Sequence, residues 1–338
     1  MKYFILSVLI SIPFLGFAQN QKNMEKEVNE IFSDLGEYVK HRDQAVNYHA
    51  NIYIGAVNFE VLINDFPVQK FYRPATGAIS TSIPINTAIL KPGKQTWKIK
   101  VYPSLTHKVD ENGEIIASMP DTAISKGGRI EMNIEGIYYD ENGNIVKEDH
   151  NIVSFEAPLR EDPETGRMIL VDAGKPYVEY SGTFEAKVPY QLEGWSEGQD
   201  LTQLDTDDLE EKVVKVYKEF SKNWGDKQAD RLAKIKSKEI EETFQSLFYS
   251  PKQINEFPKK FYLNFTERDL IMEPIENYRV KIYGDGKLIN LERVDILGLT
   301  PLFGNYKNEN GEIRSKLTEL YLYLPEGKEE LEIIRTSF

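Results

Sequence analysis

From Val46 onward the apolar residues of this chain fall on every second position, and that period governs what the chain can become. Val46, Tyr48, Ala50, Ile52 and Ile54 alternate with Asn47, His49, Asn51 and Tyr53. Side chains alternate between the faces of a strand, so the run predicts one buried and one wet face. Phe59, Val61 and Ile63 repeat the pattern. So do Trp97, Ile99 and Val101 between lysines, then Ile130, Met132 and Ile134, then Phe184, Ala186 and Val188. Turn chemistry separates them at Asn64-Asp65-Phe66-Pro67 and Lys91-Pro92-Gly93-Lys94. Many short strands between turns predict an antiparallel β-sandwich over residues 45–190.

Three tetrapeptides share one form: Asp110-Glu111-Asn112-Gly113, Asp140-Glu141-Asn142-Gly143 and Asn308-Glu309-Asn310-Gly311. An Asn-Gly end suits the positive backbone dihedrals of a hairpin tip. Calcium loops are the alternative, but the ligand spacing and distant Glu of a helix-loop-helix site are missing. Hairpin tips are the expectation.

Residues 191–208 mark a change of composition. From Leu192 to Glu211 there are eight acidic residues and no Lys or Arg, which predicts a solvated linker running into a helix start. Asp207 and Glu210 resemble a capping box. Val213, Val216, Tyr217, Phe220 and Trp224 then fit one helical face that ends at Gly225. A second helix carries Leu232, Ile240, Phe244 and Leu247, with Pro251 past its end. After Pro258 strands are expected at 262–265, 278–283, 287–296, 317–324 and 331–335, with Asp285-Gly286 as a hairpin turn. Residues 209–338 thus read as two helices and an antiparallel sheet, an α+β module, and the whole chain as mixed β and α+β.

At the other end, Met1-Lys2-Tyr3 precedes an apolar run from Phe4 to Phe17. Gly16 and Ala18 supply small residues before a cut at Gln19. That order predicts a cleavable signal peptide over residues 1–18 and a periplasmic or secreted protein. The run is too short for a comfortable membrane span. Residues 19–44 are expected to be helical, since Met24, Val28, Ile31, Leu35 and Val39 recur at spacings of three and four.

Composition narrows the chemistry. The chain has no Cys among 338 residues, which removes thiol catalysis, thiolate metal sites and disulfides. A formal net charge of −13 argues against nucleic acid as a partner. Of the four histidines, His41, His49, His107 and His150, no pair has the spacing of a zinc hydrolase, and all lie before the second module. No serine elbow, Walker loop or dinucleotide fingerprint occurs. Neither metal nor cofactor is expected, and no catalytic residue is assigned. His150 beside Glu148 and Asp149 reads as a charged strand edge.

The candidate binding residues are His49, Asn51 and Tyr53, the polar face of the first strand, and Trp195. Trp97 and Trp224 belong to apolar faces, whereas Trp195 stands in the acidic stretch and is expected to be exposed or docked.

Asn64 to Phe66, followed by Leu90-Lys91-Pro92-Gly93-Lys94-Gln95-Thr96-Trp97-Lys98-Ile99, resembles a phrase of bacterial sandwich modules. The sandwich is expected to be immunoglobulin-like or jelly-roll-like. Two helices followed by a curved sheet resemble the cone of the nuclear-transport-factor-2 fold, whose members bind small ligands, dimerise or catalyse. The expected function is a non-catalytic exported binding or interaction protein for a protein or carbohydrate ligand. An inhibitor or immunity role against a basic toxin is one form of it. The alternative is an enzyme with a His-free acid/base site in a pocket of the second module. A buried carboxylate in a pocket is the feature that would favour it.

Overall fold

A computed structural model describes residues 12–337 except 76, 112 and 114. Met1 to Ser11, which carry most of the predicted signal peptide, lie outside the described residues. The chain is a mixture of antiparallel sheets and helices.

The first helix, α1, spans Ile12–Ile31, and a single turn, α2, spans Leu35–Tyr38. The helix expected over residues 19–44 is therefore interrupted. The Ser33 hydroxyl donates to the Glu30 carbonyl at 2.9 Å, a local bond that competes with helix propagation. The apolar positions still point one way, with Val28, Phe32, Leu35 and Val39 all buried.

The strands then follow in order: β1 Val46–Gly55, β2 Asn58–Ile63, β3 Phe66–Phe71, β4 Ala78–Pro84, β5 Gly93–Tyr102, β6 Leu105–Val109 and β7 Ile115–Pro120. They continue with β8 Arg129–Tyr139, β9 Ile145–Glu156, β10 Leu159–Glu161, β11 Met168–Leu170 and β12 Val178–Ala186. One four-stranded sheet has the order β4-β1-β8-β9 and another β12-β5-β2-β3. The alternating residues read from the sequence meet between them: Ile52 and Met132 from one sheet and Val61 and Ile99 from the other lie in a single core. Gly113 sits at the β6–β7 tip and Asp140-Glu141-Asn142-Gly143 at the β8–β9 tip, with both glycines at φ +82. At the second tip Asp140 Oδ1 accepts from the backbone N–H groups of Asn142 and Asn144.

The acidic stretch is fastened along its length. The Gln199 N–H donates to the Leu324 carbonyl at 2.9 Å and the Leu201 N–H to the Gly286 carbonyl at 2.8 Å. Leu201 and Trp195 are both buried. Helix α3, Thr206–Gly225, is capped by Asp205 rather than by the Asp207–Glu210 pair. The Asp205 carboxylate accepts from the N–H groups of Asp207 and Asp208, which moves the start back by two residues.

Helix α4 covers Ala229–Ser246 and helix α5 covers Pro251–Thr266. The strand expected at Tyr262-Leu263-Asn264-Phe265 is instead the last turn of α5. Pro251 does not merely follow α4; it opens α5, behind a capping box of Ser250 and Gln253. Ile254, Phe261 and Phe265 then recur at helical spacing and are buried. Pro258 inside the helix gives up one backbone hydrogen bond but does not end it.

The remaining strands are β13 Ile271–Met272, β14 Tyr278–Tyr283, β15 Leu288–Arg293, β16 Phe303–Lys307, β17 Ile313–Leu317, β18 Glu319–Tyr323 and β19 Glu332–Ser337. A third four-stranded sheet runs β14-β15-β18-β19, and a smaller one runs β13-β16-β17. The third Asn-Gly segment closes β16–β17, with Gly311 at φ +79.

The third sheet is covered on both sides. Ile289, Leu291, Leu320 and Leu322 face the helices and pack with Tyr217, Phe220 and Phe244. Leu288, Tyr283, Tyr321 and Tyr323 face the other way and join the core of the first two sheets. This second face also carries charge. Glu60 on β2 and Glu292 on β15 are fully buried, and Lys281 on β14 reaches both, at 2.7 and 3.5 Å. Burial pushes the Glu60 carboxyl up. The Lys281 charge, hydrogen bonds from Lys281 and Tyr72, and the Lys100 charge outweigh it and hold Glu60 below its usual range. A Lys70–Glu319 ion pair joins β3 to β18 in the same layer. Among the described residues no helix is long and apolar enough to cross a membrane.

Candidate functional site

The polar face of β1 is where the alternation placed it. Across the β1–β8 ladder His49 stands opposite Glu135, Asn51 opposite Asn133 and Tyr53 opposite Glu131. His49 and Asn51 are half-buried and Tyr53 is exposed. His150 on β9 completes the group: its Nδ1 lies 3.2 Å from Glu135 and its Nε2 lies 3.0 Å from Glu148. A hydrogen bond from Asn51 holds the Glu135 carboxyl below its usual range, with His150 adding to the effect and burial opposing it. The hydrogen bond to Glu135 raises His150, burial opposes it, and the Glu148 charge adds.

A histidine raised in the folded state adds stability that is full below its unfolded value, about 6.5, and lost as pH rises through its folded value. In an NMR titration the His150 ring should show a midpoint above about 6.5. Glu135→Gln should bring it down toward that value. A midpoint unmoved by the substitution would show that Glu135 does not hold the proton.

Trp195 is not part of that face. It takes the docked position, 4% exposed, with its ring stacked on Phe66 at 5.4 Å and the Arg335 guanidinium over it at 5.3 Å. Arg335 in turn holds the Glu242 carboxylate at 2.8 Å and donates to the Thr87 carbonyl at 2.9 Å. Glu242 accepts from the Gly194 N–H at 2.8 Å. The ring therefore belongs to a knot joining β3, α4, β19 and the acidic stretch, with no face left to a ligand.

Two recesses lie among the helices. A recess of about 730 Å³ between α3, α4 and residues 329–333 is lined by lysines and glutamates. Three of its lysines are already paired, Lys212 with Asp208, Lys215 with Glu330 and Lys238 with Glu193, each within 3 Å. A second cavity of about 450 Å³ lies between α4 and α5, with β19 at one end. Its chemistry differs. Phe244, Tyr249, Phe257, Phe261 and Phe265 line it, and the first three rings pack at 4.2 and 4.6 Å around Phe244.

Beneath these rings sits a buried polar group. Lys236 and Glu239, one turn of α4, are both more than nine-tenths buried, with Nζ 3.3 Å from Oε2. Lys236 also donates to the Thr336 hydroxyl on β19 at 2.8 Å. Glu239 Oε1 receives the Thr336 and Thr243 hydroxyls at 3.3 and 3.4 Å. Oε2 accepts no hydrogen bond. A buried acceptor left without a hydrogen-bond donor costs about 1–3 kcal/mol, more when charged. Burial pushes the Tyr249 hydroxyl up and the Glu239 charge adds to it, against the pull of Lys260, so Tyr249 stays a neutral donor.

None of the four residues singled out from the sequence lines this groove. The signal that would have found it was the i, i+4 spacing of Phe257, Phe261 and Phe265. A strand expected at 262–265 hid that spacing. Among the described residues, no group of three or more acidic or histidine side chains is placed to hold a metal ion. Comparison of the chain with protein-family models, with curated proteins and with solved structures finds no match.

Proposed function

We propose that the protein is an exported, non-catalytic binding protein whose α4–α5 groove takes one small, mostly apolar molecule. In this reading residues 1–18 are a cleaved signal, and the mature chain acts in the periplasm or the medium. The first two sheets form an immunoglobulin-like or jelly-roll-like sandwich. The helices and the third sheet form a cone-like module that carries the groove.

The observation that carries the reading is the groove itself: about 450 Å³ walled by aromatic rings above a buried Lys–Glu pair. Ligand sites are of this size, mostly apolar, with a few placed polar groups. The Lys–Glu pair also supports the second reading, a His-free acid/base enzyme. Binding is preferred because Lys236 is already engaged by Glu239 and Thr336, and the groove holds no second carboxylate to share proton transfer.

Diphenylhexatriene, an apolar dye with no hydrogen-bonding group, tests the groove without regard to any head group. Its fluorescence should rise saturably with one site per chain. Thr243→Trp, which places an indole in the groove, should weaken binding by about tenfold or more, 1.4 kcal/mol. No saturable signal, or equal binding to the variant, would remove the groove as the site.

A further inference from the structure

The polar floor of the groove says more about what it holds. We infer that the groove selects a neutral molecule with an aromatic or otherwise apolar body and one hydrogen-bond donor, and that Glu239 is the acceptor. This inference rests on the groove-binding reading above.

Lys236 and Glu239 form a closed pair, and at the rim Lys260 is held by Glu256 at 2.8 Å. The groove therefore offers no uncompensated charge. An ammonium head would be buried beside Lys236, and a carboxylate head beside Glu239. Each would lose its hydration for a like-charged neighbour. A neutral donor meets neither penalty.

Hydrogen-bonding capacity points the same way. Lys236 and the Thr336 and Thr243 hydroxyls already donate within the floor. What the floor lacks is a donor, because Glu239 Oε2 accepts no hydrogen bond while Oε1 receives two. That oxygen is closed to solvent. A carboxylate oxygen has more than one lone pair, so Oε2, 3.3 Å from Lys236 Nζ, can keep that ion pair and also accept from a donor on a ligand seated against Phe244 and Phe261. A hydroxyl or N–H at the buried end of the ligand would complete the floor. The walls would take the body through offset and edge contacts of their rings.

The test uses two molecules of the same shape. 2-Phenylindole carries an N–H where 2-phenylbenzofuran carries an oxygen without hydrogen. Each is titrated against diphenylhexatriene bound to the intact protein. The indole should displace the dye about tenfold more effectively, as expected when a donor reaches a charged acceptor. Replacing the pair together, Lys236→Met with Glu239→Leu, keeps the groove apolar without stranding either charge. In that variant the two compounds should displace the dye equally.

If both compounds bind the native protein equally, if the benzofuran binds better, or if neither displaces bound dye, the donor inference is overturned while the groove remains a site. A preference for the indole that survives in the double variant would overturn Glu239 as the acceptor. Should that variant not fold, the comparison on the native protein still decides the class of ligand. If the dye itself does not bind, the groove reading has failed, and this inference with it.

Discussion

Trp195→Ala should cost the protein about 3–5 kcal/mol, the range for removing a large buried aromatic side chain. Trp195 fills the space between Phe66 on β3 and Arg335 on β19, and the Gly284 backbone lies close against its ring. Without the indole, Arg335 loses one face of its packing while its Nη2 already lacks a partner. A loss of this size is a large part of a typical total stability of about 5–15 kcal/mol. It should appear as a large fall in the urea midpoint. The loss should also show locally, because Trp195 is one of the buried hydrophobic side chains that dock the stretch at 191–208. A protease specific for glutamate should cut after Glu193 or Glu197 much faster in the variant. A change below about 1 kcal/mol with unchanged cleavage would show that the ring is not what docks this stretch.

Lys281→Met should be nearly as severe, and its effect should depend on pH. The substitution keeps the chain length but removes the cation shared by Glu60 and Glu292, both fully buried. Breaking a buried pair from one side costs about 3–5 kcal/mol because the partner's charge is stranded; here the stranded charge is that of Glu60, since Glu292 keeps its ion pair with Arg279. In the native protein Glu60 is held below its usual range. Its contribution is therefore present above its unfolded value, about 4.3, and lost as pH falls through the folded value. In the variant burial is expected to dominate and raise the folded value of Glu60. The deficit should then be largest near neutral pH and shrink as pH falls through that raised value, where the folded variant's carboxyl takes up its proton. Unfolding curves for both proteins at several pH values would show it. A small deficit that does not vary with pH would mean that Lys100 and Tyr72 compensate the Glu60 charge alone.

Much of the fold was legible because its signals are periodic. The alternation through Val46 to Ile54 located β1 and its buried face, and the Asn-Gly ends marked three hairpin tips. The face of α3 was visible in Val213, Tyr217, Phe220 and Trp224. Two kinds of information were missing. Alternation tells which residues share a face but not what covers it. Glu60 on β2 and Asn290 and Glu292 on β15 occupy positions that would be wet on an open sheet, yet they lie fully buried between two sheets. Charge likewise argued for a solvated stretch at 191–208. The bonds from Gln199 to Leu324 and from Leu201 to Gly286 run to residues about a hundred positions away and leave no trace in local composition.

The groove was hidden for a related reason. It is built from α4, α5 and the end of β19, and Lys236 meets Thr336 across 100 residues of chain. Helix α5 was half lost because Pro258 reads as a breaker and the apolar run after it as a strand. Once the Ser250–Gln253 cap and the Phe257, Phe261 and Phe265 spacing are taken together, the helix is evident. The buried pair beneath it is not, since Lys and Glu three residues apart on a helix are usually solvent-exposed partners.

The central claim is that the α4–α5 groove is the binding site. Methyl-labelled NMR spectra of the protein titrated with 2-phenylindole test it most directly. Ile240 and Thr243 line the groove, whereas Ile52 and Ile134 belong to the core of the first two sheets. The account predicts saturable shifts at Ile240, Thr243 and Thr336 and none at Ile52 or Ile134. Shifts centred on β1 and β8, or no saturable shift at Ile240 and Thr243, would contradict it.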